Sequence, residues 1–292
     1  MKKHPFLWGV ISLFLMALLF FSFSKIVLKH YEEDGDKEKI AVVDIKGIIT
    51  ESDEVVLKLK KYGKDSSVKG IIVRINSPGG GVAPSQEIYS EILRLRQEKG
   101  KKVVASFSSL GASGGYYIAS AANKIIANPG TITGSIGVIM PLSNIEELLG
   151  KIGLKSDAVK SGKFKDMASP THEMTTEERA ILQASVDDVH NQFVEAIASG
   201  RNMEIEKVRG LADGRIYTGR QAMEVGLIDQ LGGFEDAVDL LVDLAGIKGE
   251  PGIIREKEER GILYRLIKGD VESLWKESLS SYSSGFLYLM SP

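Results

Sequence analysis

The sequence predicts an α/β domain built on parallel sheet with helices on both faces, preceded by one transmembrane helix. Three observations predict it. Short apolar runs rich in β-branched residues recur through the first half of the chain, helical patterns lie between them, and an unbroken apolar stretch opens the chain. Strand–helix–strand alternation requires crossover connections, and crossovers place helices over both faces of a parallel sheet.

The elements follow in order. Phe6 to Phe23 holds only apolar or small residues, and at about 1.5 Å per helical residue it just spans a hydrocarbon core of about 30 Å. Residues 1–29 are therefore expected to be an anchor. Lys2 and Lys3 stand on one side and Lys25 and Lys29 on the other, followed by the acidic Glu32, Glu33, Asp34 and Asp36. The balance favours an amino terminus inside and a catalytic domain outside the cytoplasm. A cleaved signal has the same outline, but Ser22-Phe23-Ser24 is a poor cleavage site. Either reading exports the remainder. Residues 30–38 are charged and form a tether, and the domain is expected over 39–250.

Strands are expected at Ile40 to Ile45, Gly70 to Asn76, Val103 to Phe107, Ile125 to Ala127 and Ile136 to Ile139. Pro84 to Lys99 carries Ile88, Ile92 and Leu95 on one helical face and stops at Gly100. A long helix runs from Thr175 to about Ser199, opened by the capping box Thr175-x-x-Glu178 and closed by Gly200. Helices at Ile205 to Ala212, Arg220 to Val225 and Phe234 to Ala245 complete the domain. In the tail, 251–292, Ile262, Leu263, Leu266, Ile267, Val271, Leu274 and Trp275 recur at helical spacing. A serine-rich link and the apolar Phe286 to Met290 follow.

Composition excludes several functions. A net charge of −2 over 292 residues, with no basic stripe, lacks the footprint of a nucleic-acid binder. The absence of cysteine removes thiolate metal sites, Fe–S clusters and cysteine nucleophiles, and four histidines, two of them beside the apolar stretch, argue against a multi-histidine metal site. Glycine is abundant, at 31 residues, and concentrates in three turns after strands: Asn76 to Gly81, Gly111 to Tyr116 and Gly130 to Gly137. In open α/β sheets, sites form at the carboxyl ends of strands, where backbone must approach ligand closely. None of the turns is a dinucleotide fingerprint or a Walker A loop.

Ser113 stands just ahead of the small-residue helical run Gly114 to Ala122. It can be a helix cap, or a nucleophile beside free backbone N–H groups that would hold an oxyanion. A nucleophile needs a base. His190 falls inside the long helix and His172 lacks an evident orienting carboxylate, so a Ser-His-Asp triad has weak support. Lys160 to Pro170 offers lysines in a largely uncharged setting, and burial can lower an amine from about 10.4 to the roughly 7 to 8 that base catalysis requires. Charge alone does not choose between Lys163 and Lys165.

Asn76-Ser77-Pro78-Gly79-Gly80, Ala112-Ser113-Gly114-Gly115-Tyr116 and Gly162-Lys163-Phe164-Lys165 occur in one order. Together they resemble the signal peptide peptidase A family of membrane-anchored serine proteases, in its short, single-domain form, from about Lys39 to residue 245. The resemblance implies the ClpP/crotonase-like fold and a Ser/Lys dyad, with Ser113 as nucleophile and Lys165 as general base. It further implies that Ser135 hydrogen-bonds the lysine and that the N–H groups of Gly80 and Gly114 form the oxyanion hole. Phe164 stands where tyrosine is frequent in the family. The implied substrates are signal peptide remnants and similar apolar peptides, without metal or cofactor. Because the longer, tandem members carry lysine and serine in different halves, the resemblance also implies a ring-shaped homo-oligomer whose sites are shared between subunits.

Three other readings are weaker. Penicillin-binding patterns are present as Ser66-x-x-Lys69 and Lys160-Ser161-Gly162, but Ser-x-x-Lys recurs at Ser22 and Ser273, and Ser66 precedes a strand. An acyl-CoA enzyme on the same fold conflicts with export, and a non-catalytic scaffold would tolerate loss of both Ser113 and Lys165.

Overall fold

The computed structural model describes residues 16, 18–21, 38–256 and 287–290. Residues 16 and 18–21 are helical; the rest of the expected anchor, most of the tether and the amphipathic tail helix lie outside the described residues. Among the described residues, no helix is long and apolar enough to cross a membrane.

β1 (Lys39–Lys46) and β2 (Val68–Ser77) pair in parallel from Ile40 opposite Gly70 to Lys46 opposite Asn76. Both are apolar on successive residues because both faces of the sheet are covered. α1 (Asp53–Lys64) carries the crossover between them, with acidic residues in its first turn and lysines in its last, the arrangement its dipole favours. β3 (Gly79–Gly81) leaves the end of β2, and α2 (Val82–Gln97) returns the chain to β4 (Lys102–Ala112). Ile88, Ile92 and Leu95 of α2 are fully buried.

β4 forks the sheet. Its first half pairs with β5 (Lys124–Ala127) through Val104 to Ser106, and its second half with β6 (Ile132–Gly134) through Leu110 to Ala112. Short α3 (Gly114–Ser120) separates the two pairings, and every residue in it is buried. β7 (Ile216–Thr218) extends β6 antiparallel, β8 (Gln230–Leu231) extends β5, and β9 (Gly252–Arg255) adds to the far edge beside β1. The sheet thus runs on past residue 250. α4 (Glu146–Lys151) lies in an arm between β6 and α5 (Thr176–Arg201), with α6 (Ile205–Leu211), α7 (Gly219–Val225) and α8 (Phe234–Ala245) following. β10 (Leu287–Leu289) returns from the carboxyl end to pair antiparallel with β3.

Two cores flank the sheet. α8 covers one face, placing Ala237, Val238 and Leu241 on Ile40, Val42, Ile72, Val104 and Ile126. Gly70 permits this, since a Cβ there would lie 2.7 Å from the Leu241 side chain. The other face is covered by α1, α2, α3 and α5.

Two expectations are corrected. Ile136 to Ile139 is not a strand; the strand is Ile132–Gly134, and Ser135, at φ 49°, turns the chain out of the sheet. Gly200 does not end the long helix, which continues to Arg201 and stops at Asn202 in the left-handed conformation. Gly200 is needed for packing instead: a Cβ there would come within 2.0 Å of the Ser120 carbonyl oxygen. The Thr175 capping box forms, with Glu178 N–H donating to Thr175 Oγ1 at 3.2 Å and Thr175 N–H to Glu178 Oε2 at 2.8 Å.

Candidate active site

Ser113 occupies the one-residue turn between β4 and α3. Its backbone is held at φ 51°, ψ −117°, which costs a non-glycine residue on the order of 1–3 kcal/mol. The surroundings enforce it: Ser113 N–H donates to Gly134 O and Tyr117 N–H donates to Ser113 O, both at 2.8 Å. The side chain is fully buried, makes no capping bond, and its Oγ has no hydrogen-bond partner among the described residues. A buried hydroxyl left unpaired costs about 1–3 kcal/mol more. The cap reading therefore fails, and two local costs coincide on one serine.

The glycine turn after β2 lies against it. Gly79 adopts φ 101°, with its N–H donating to Ser77 Oγ at 3.0 Å, while Ser85 Oγ donates to Gly81 O at 2.8 Å. A Cβ on Gly79 would meet Tyr288 O at 2.0 Å and Gly114 N at 2.6 Å; one on Gly114 would lie 3.2 Å from Gly80 N. The backbone amides of Gly80 and Gly114 thus converge beside the Ser113 turn, where bare backbone is the only chain that fits. A developing oxyanion is stabilised by such fixed N–H donors.

Ser135 belongs to the same corner through its neighbour Gly134. It is buried, at φ 49°, and its N–H donates to Arg215 O at 2.8 Å. It lines a cavity of about 510 Å³ together with Val138, Val186, His190, Leu289 and Met290. The Nε2 of His190 is buried there without a partner among the described residues. Neither His190 nor β10 was expected at this corner from sequence. Only the apolar run Phe286 to Met290 offered a signal.

Lys165 is different. It is exposed, in a run of turns closed by Lys165 N–H to Gly162 O and Ser169 N–H to Asp166 O. Among the described residues its ammonium has no hydrogen bond or ion pair, and no hydrogen bond joins it to Ser113 or Ser135. Lys163, the other lysine of the motif, is committed to an ion pair with Glu177 and lies 5.0 Å over the Phe164 ring. Lys160 pairs with Asp166 at 2.6 Å.

His172 does have a carboxylate neighbour, Asp166, 3.6 Å away, contrary to expectation. Both of its ring nitrogens face carbonyl oxygens, Glu173 O at 3.0 Å and Asp166 O at 3.1 Å. The Glu173 bond foremost raises its pKa, and the Asp166 carbonyl and carboxylate add to that. Asp166, His172 and Glu178 could together face a cation, but each already bonds within the arm and its helix cap, which leaves this cluster a fastening of the lysine segment to α5.

Comparison with known sequences bears on this geometry. Residues 95–248, which include Ser113, Ser135 and Lys165, match the model of peptidase family S49. The chain is 45% identical over 236 residues to a protein of Synechocystis sp. named provisionally as a protease, covering 80% of this chain and 84% of the relative. It is 39% identical over 236 residues to one of Enterococcus faecium named provisionally as signal peptide peptidase SppA, covering 76% and 68%. Protease 4 of Salmonella typhi is 35% identical over 218 residues, which cover 72% of this chain and 35% of that protein.

Proposed function

The chain belongs to peptidase family S49 and is a serine protease; from that premise we propose that Ser113 is the nucleophile and Lys165 the general base of a membrane-anchored endopeptidase that degrades signal peptide remnants and similar apolar peptides. The observation that carries the reading is the strained, buried and unpartnered Ser113 hydroxyl beside the converging Gly80 and Gly114 amides.

In this mechanism neutral Lys165 accepts the Ser113 proton as Oγ attacks a peptide carbonyl. The Gly80 and Gly114 N–H groups hold the oxyanion, each such donor contributing roughly 3–4 kcal/mol. The lysine ammonium then protonates the leaving amine, and water, deprotonated in turn by the lysine, releases the acyl chain from Ser113. Ser135 hydrogen-bonds the lysine when it is in place.

A base at neutral pH has to be desolvated, and Lys165 in a single chain is exposed. The arm that bears it also exposes Leu142, Ile145, Leu148, Ile152, Leu154 and Val159, an apolar surface suited to a neighbouring subunit. Lys165 is therefore supplied to Ser113 from the adjacent subunit of a ring. The stretch 6–23 holds the ring to the membrane with the domain on the extracytoplasmic side.

Fluorophosphonate labelling with mapping of the modified residue tests the nucleophile; modification elsewhere than Ser113 would refute it. For the shared site, inactive Ser113→Ala and Lys165→Ala chains are refolded together. Recovered activity in mixed oligomers supports sharing, and mixed oligomers that stay inactive place the dyad within one chain.

A further inference from the structure

A turn between α6 and β7 holds Ser135 from outside. Asp213 closes it on Arg215: Asp213 Oδ1 accepts the Arg215 backbone N–H at 3.1 Å, and the Arg215 Nε–H donates to the two carboxylate oxygens at 2.8 and 2.9 Å. Gly214 stands between them at φ 88°, a left-handed conformation that glycine enters without strain. The turn thereby aims two backbone groups at the end of β6. Ser135 N–H donates to Arg215 O at 2.8 Å, and Gly214 N–H donates to Ile136 O at 3.1 Å. β7 starts directly afterwards, with Ile216 opposite Gly134. The contact is close, since a Cβ on Gly134 would lie 2.5 Å from the Tyr217 ring and 3.0 Å from Arg215 O.

These bonds meet the one that fixes the serine turn. Gly134 O accepts the Ser113 N–H at 2.8 Å, and the Gly134 carbonyl and the Ser135 N–H belong to one planar peptide unit. A single rigid group is therefore gripped on one side by Ser113 and on the other by Arg215. Ser113 and Ser135 both have positive φ, at 51° and 49°, a conformation that a residue with a side chain keeps only where its surroundings over-determine it. For Ser135 those surroundings are the Asp213 turn and the start of β7.

We propose that Asp213 is a positioning residue for both serines: by closing its turn it fixes the Arg215 carbonyl, and through the Gly134–Ser135 peptide it sets the Ser113 backbone and presents the Ser135 hydroxyl to the lysine. This deepens the Ser113 and Lys165 reading and rests on it. The operative group is a carboxylate oxygen acting as hydrogen-bond acceptor, because both Asp213 and Arg215 are about half exposed and an ion pair there contributes little. Asp213 does not titrate in the working range: its bond from the Arg215 side chain foremost lowers its pKa to about 2. The other titratable groups at the cavity beside Ser135 are Asp187 and His190 of α5, and both are left in place by the substitutions below.

The test compares the full chain with its Asp213→Ala and Asp213→Asn variants. Hydrogen exchange at the Ser135 amide reports the turn independently of any catalysis. It should quicken by about tenfold in Asp213→Ala and stay near wild type in Asp213→Asn, which keeps the acceptor. In peptide hydrolysis Asp213→Ala should lower kcat by about ten- to a hundredfold with KM little changed, as expected when reacting groups are displaced by on the order of 1 Å. A lysine no longer oriented by Ser135 is more solvated, so its activity should rise at higher pH than in wild type, and the deficit should shrink in alkali. A fold that was merely loosened would lose the same fraction at every pH. Asp213→Asn should recover most of kcat and the wild-type profile. Unchanged Ser135 exchange in Asp213→Ala would overturn the proposal. So would a deficit that does not vary with pH, or a loss in Asp213→Asn equal to that in Asp213→Ala, which would assign the effect to charge. If fluorophosphonate modifies a residue other than Ser113, the nucleophile reading fails, while exchange at Ser135 still decides whether the Asp213 turn holds this corner.

Discussion

The turn bearing Ser113 and the arm bearing Lys165 are built on opposite plans. The serine sits between β4 and a helix with no exposed residue, its backbone forced into a costly conformation by bonds to Gly134 and Tyr117. The lysine sits in a succession of turns, exposed, within an arm whose apolar residues face outward. The contrast teaches that, under the proposed dyad, one half of the chemistry is completed by folding, whereas the other half is presented for completion. Pre-organisation is concentrated at the serine turn, and the lysine is left in the open.

The sharpest way to break this comparison is to remove the serine. Ser113→Ala should lower peptide hydrolysis by on the order of 10⁴-fold or more with unchanged circular dichroism and Tm, since little packing is lost; comparable turnover would end the assignment. Next comes the arm. Lys165→Ala should cost on the order of 10³-fold, while Lys163→Ala, which loses an exposed pair with Glu177 and its place over the Phe164 ring, should stay within a few-fold of wild type. The reverse order would move the base by two residues.

The third effect is on stability, behind the serine. Gly200→Ala drives a Cβ into the Ser120 carbonyl where α5 crosses α3. Overpacking of that kind costs about 1–3 kcal/mol, so Tm should fall by several degrees, with hydrolysis lost only in proportion to unfolding. The same substitution at Gly150, in the arm, meets nothing within 4 Å and should leave Tm within a degree or so. Equal effects would contradict the division between packed and open regions.

The smallest effects are in pH, and they have opposite signs in the two regions. Asp229, part of the serine side, loses charge preference to burial but regains more from Arg201, Ile125 N–H and Lys124, so its pKa is lowered on balance. A lowered carboxylate stabilises above its ordinary value of about 4 and ceases to do so as pH falls through its folded value. The stability gap between wild type and Asp229→Asn should therefore narrow in acid. His172, in the arm, has a raised pKa. Its contribution is complete below about 6.5 and disappears as pH rises through its folded value, so exchange protection around Asp166 should weaken first on the alkaline side. His172→Ala should abolish that pH dependence with little change in Tm.

Legibility from sequence divides along the same line. Strands buried on both faces, such as Ile40 to Ile45, announce themselves as apolar runs, and the capping box at Thr175 marks a helix start because its chemistry is local. Phe234 to Ala245 has the expected limits for the same reason. The glycine turns and Ser113 were readable because close backbone approach tolerates few residue types. Gly200 misled because a glycine at a close helix crossing and one at a helix end look alike in sequence. The third turn misled because the three-residue strand Ile132–Gly134 is defined by its partners β4 and β7, not by its own apolarity. The place of β10 was invisible: its partner lies more than 200 residues earlier, and nothing local to Tyr288 specifies glycine backbone as a neighbour.

The pairing of β1 with β9 sets an order of events in biogenesis. Gly252 N–H donates to Glu38 O at 3.0 Å, and Lys39 to Val42 pair with Gly252 to Arg255. The first of the described strands is thus internal to the finished sheet, and one of its edges waits for a partner more than 200 residues later in the chain. At the roughly 5–20 residues per second of translation, that edge stays open for tens of seconds. Contacts so distant in sequence are slow to close. A chaperone holding the emerging chain, or the confinement of its early end, would shield a hydrogen-bonding edge that a free chain would offer to its neighbours. Moving the β9 segment ahead of β1 by circular permutation should shorten that interval and reduce aggregation during synthesis.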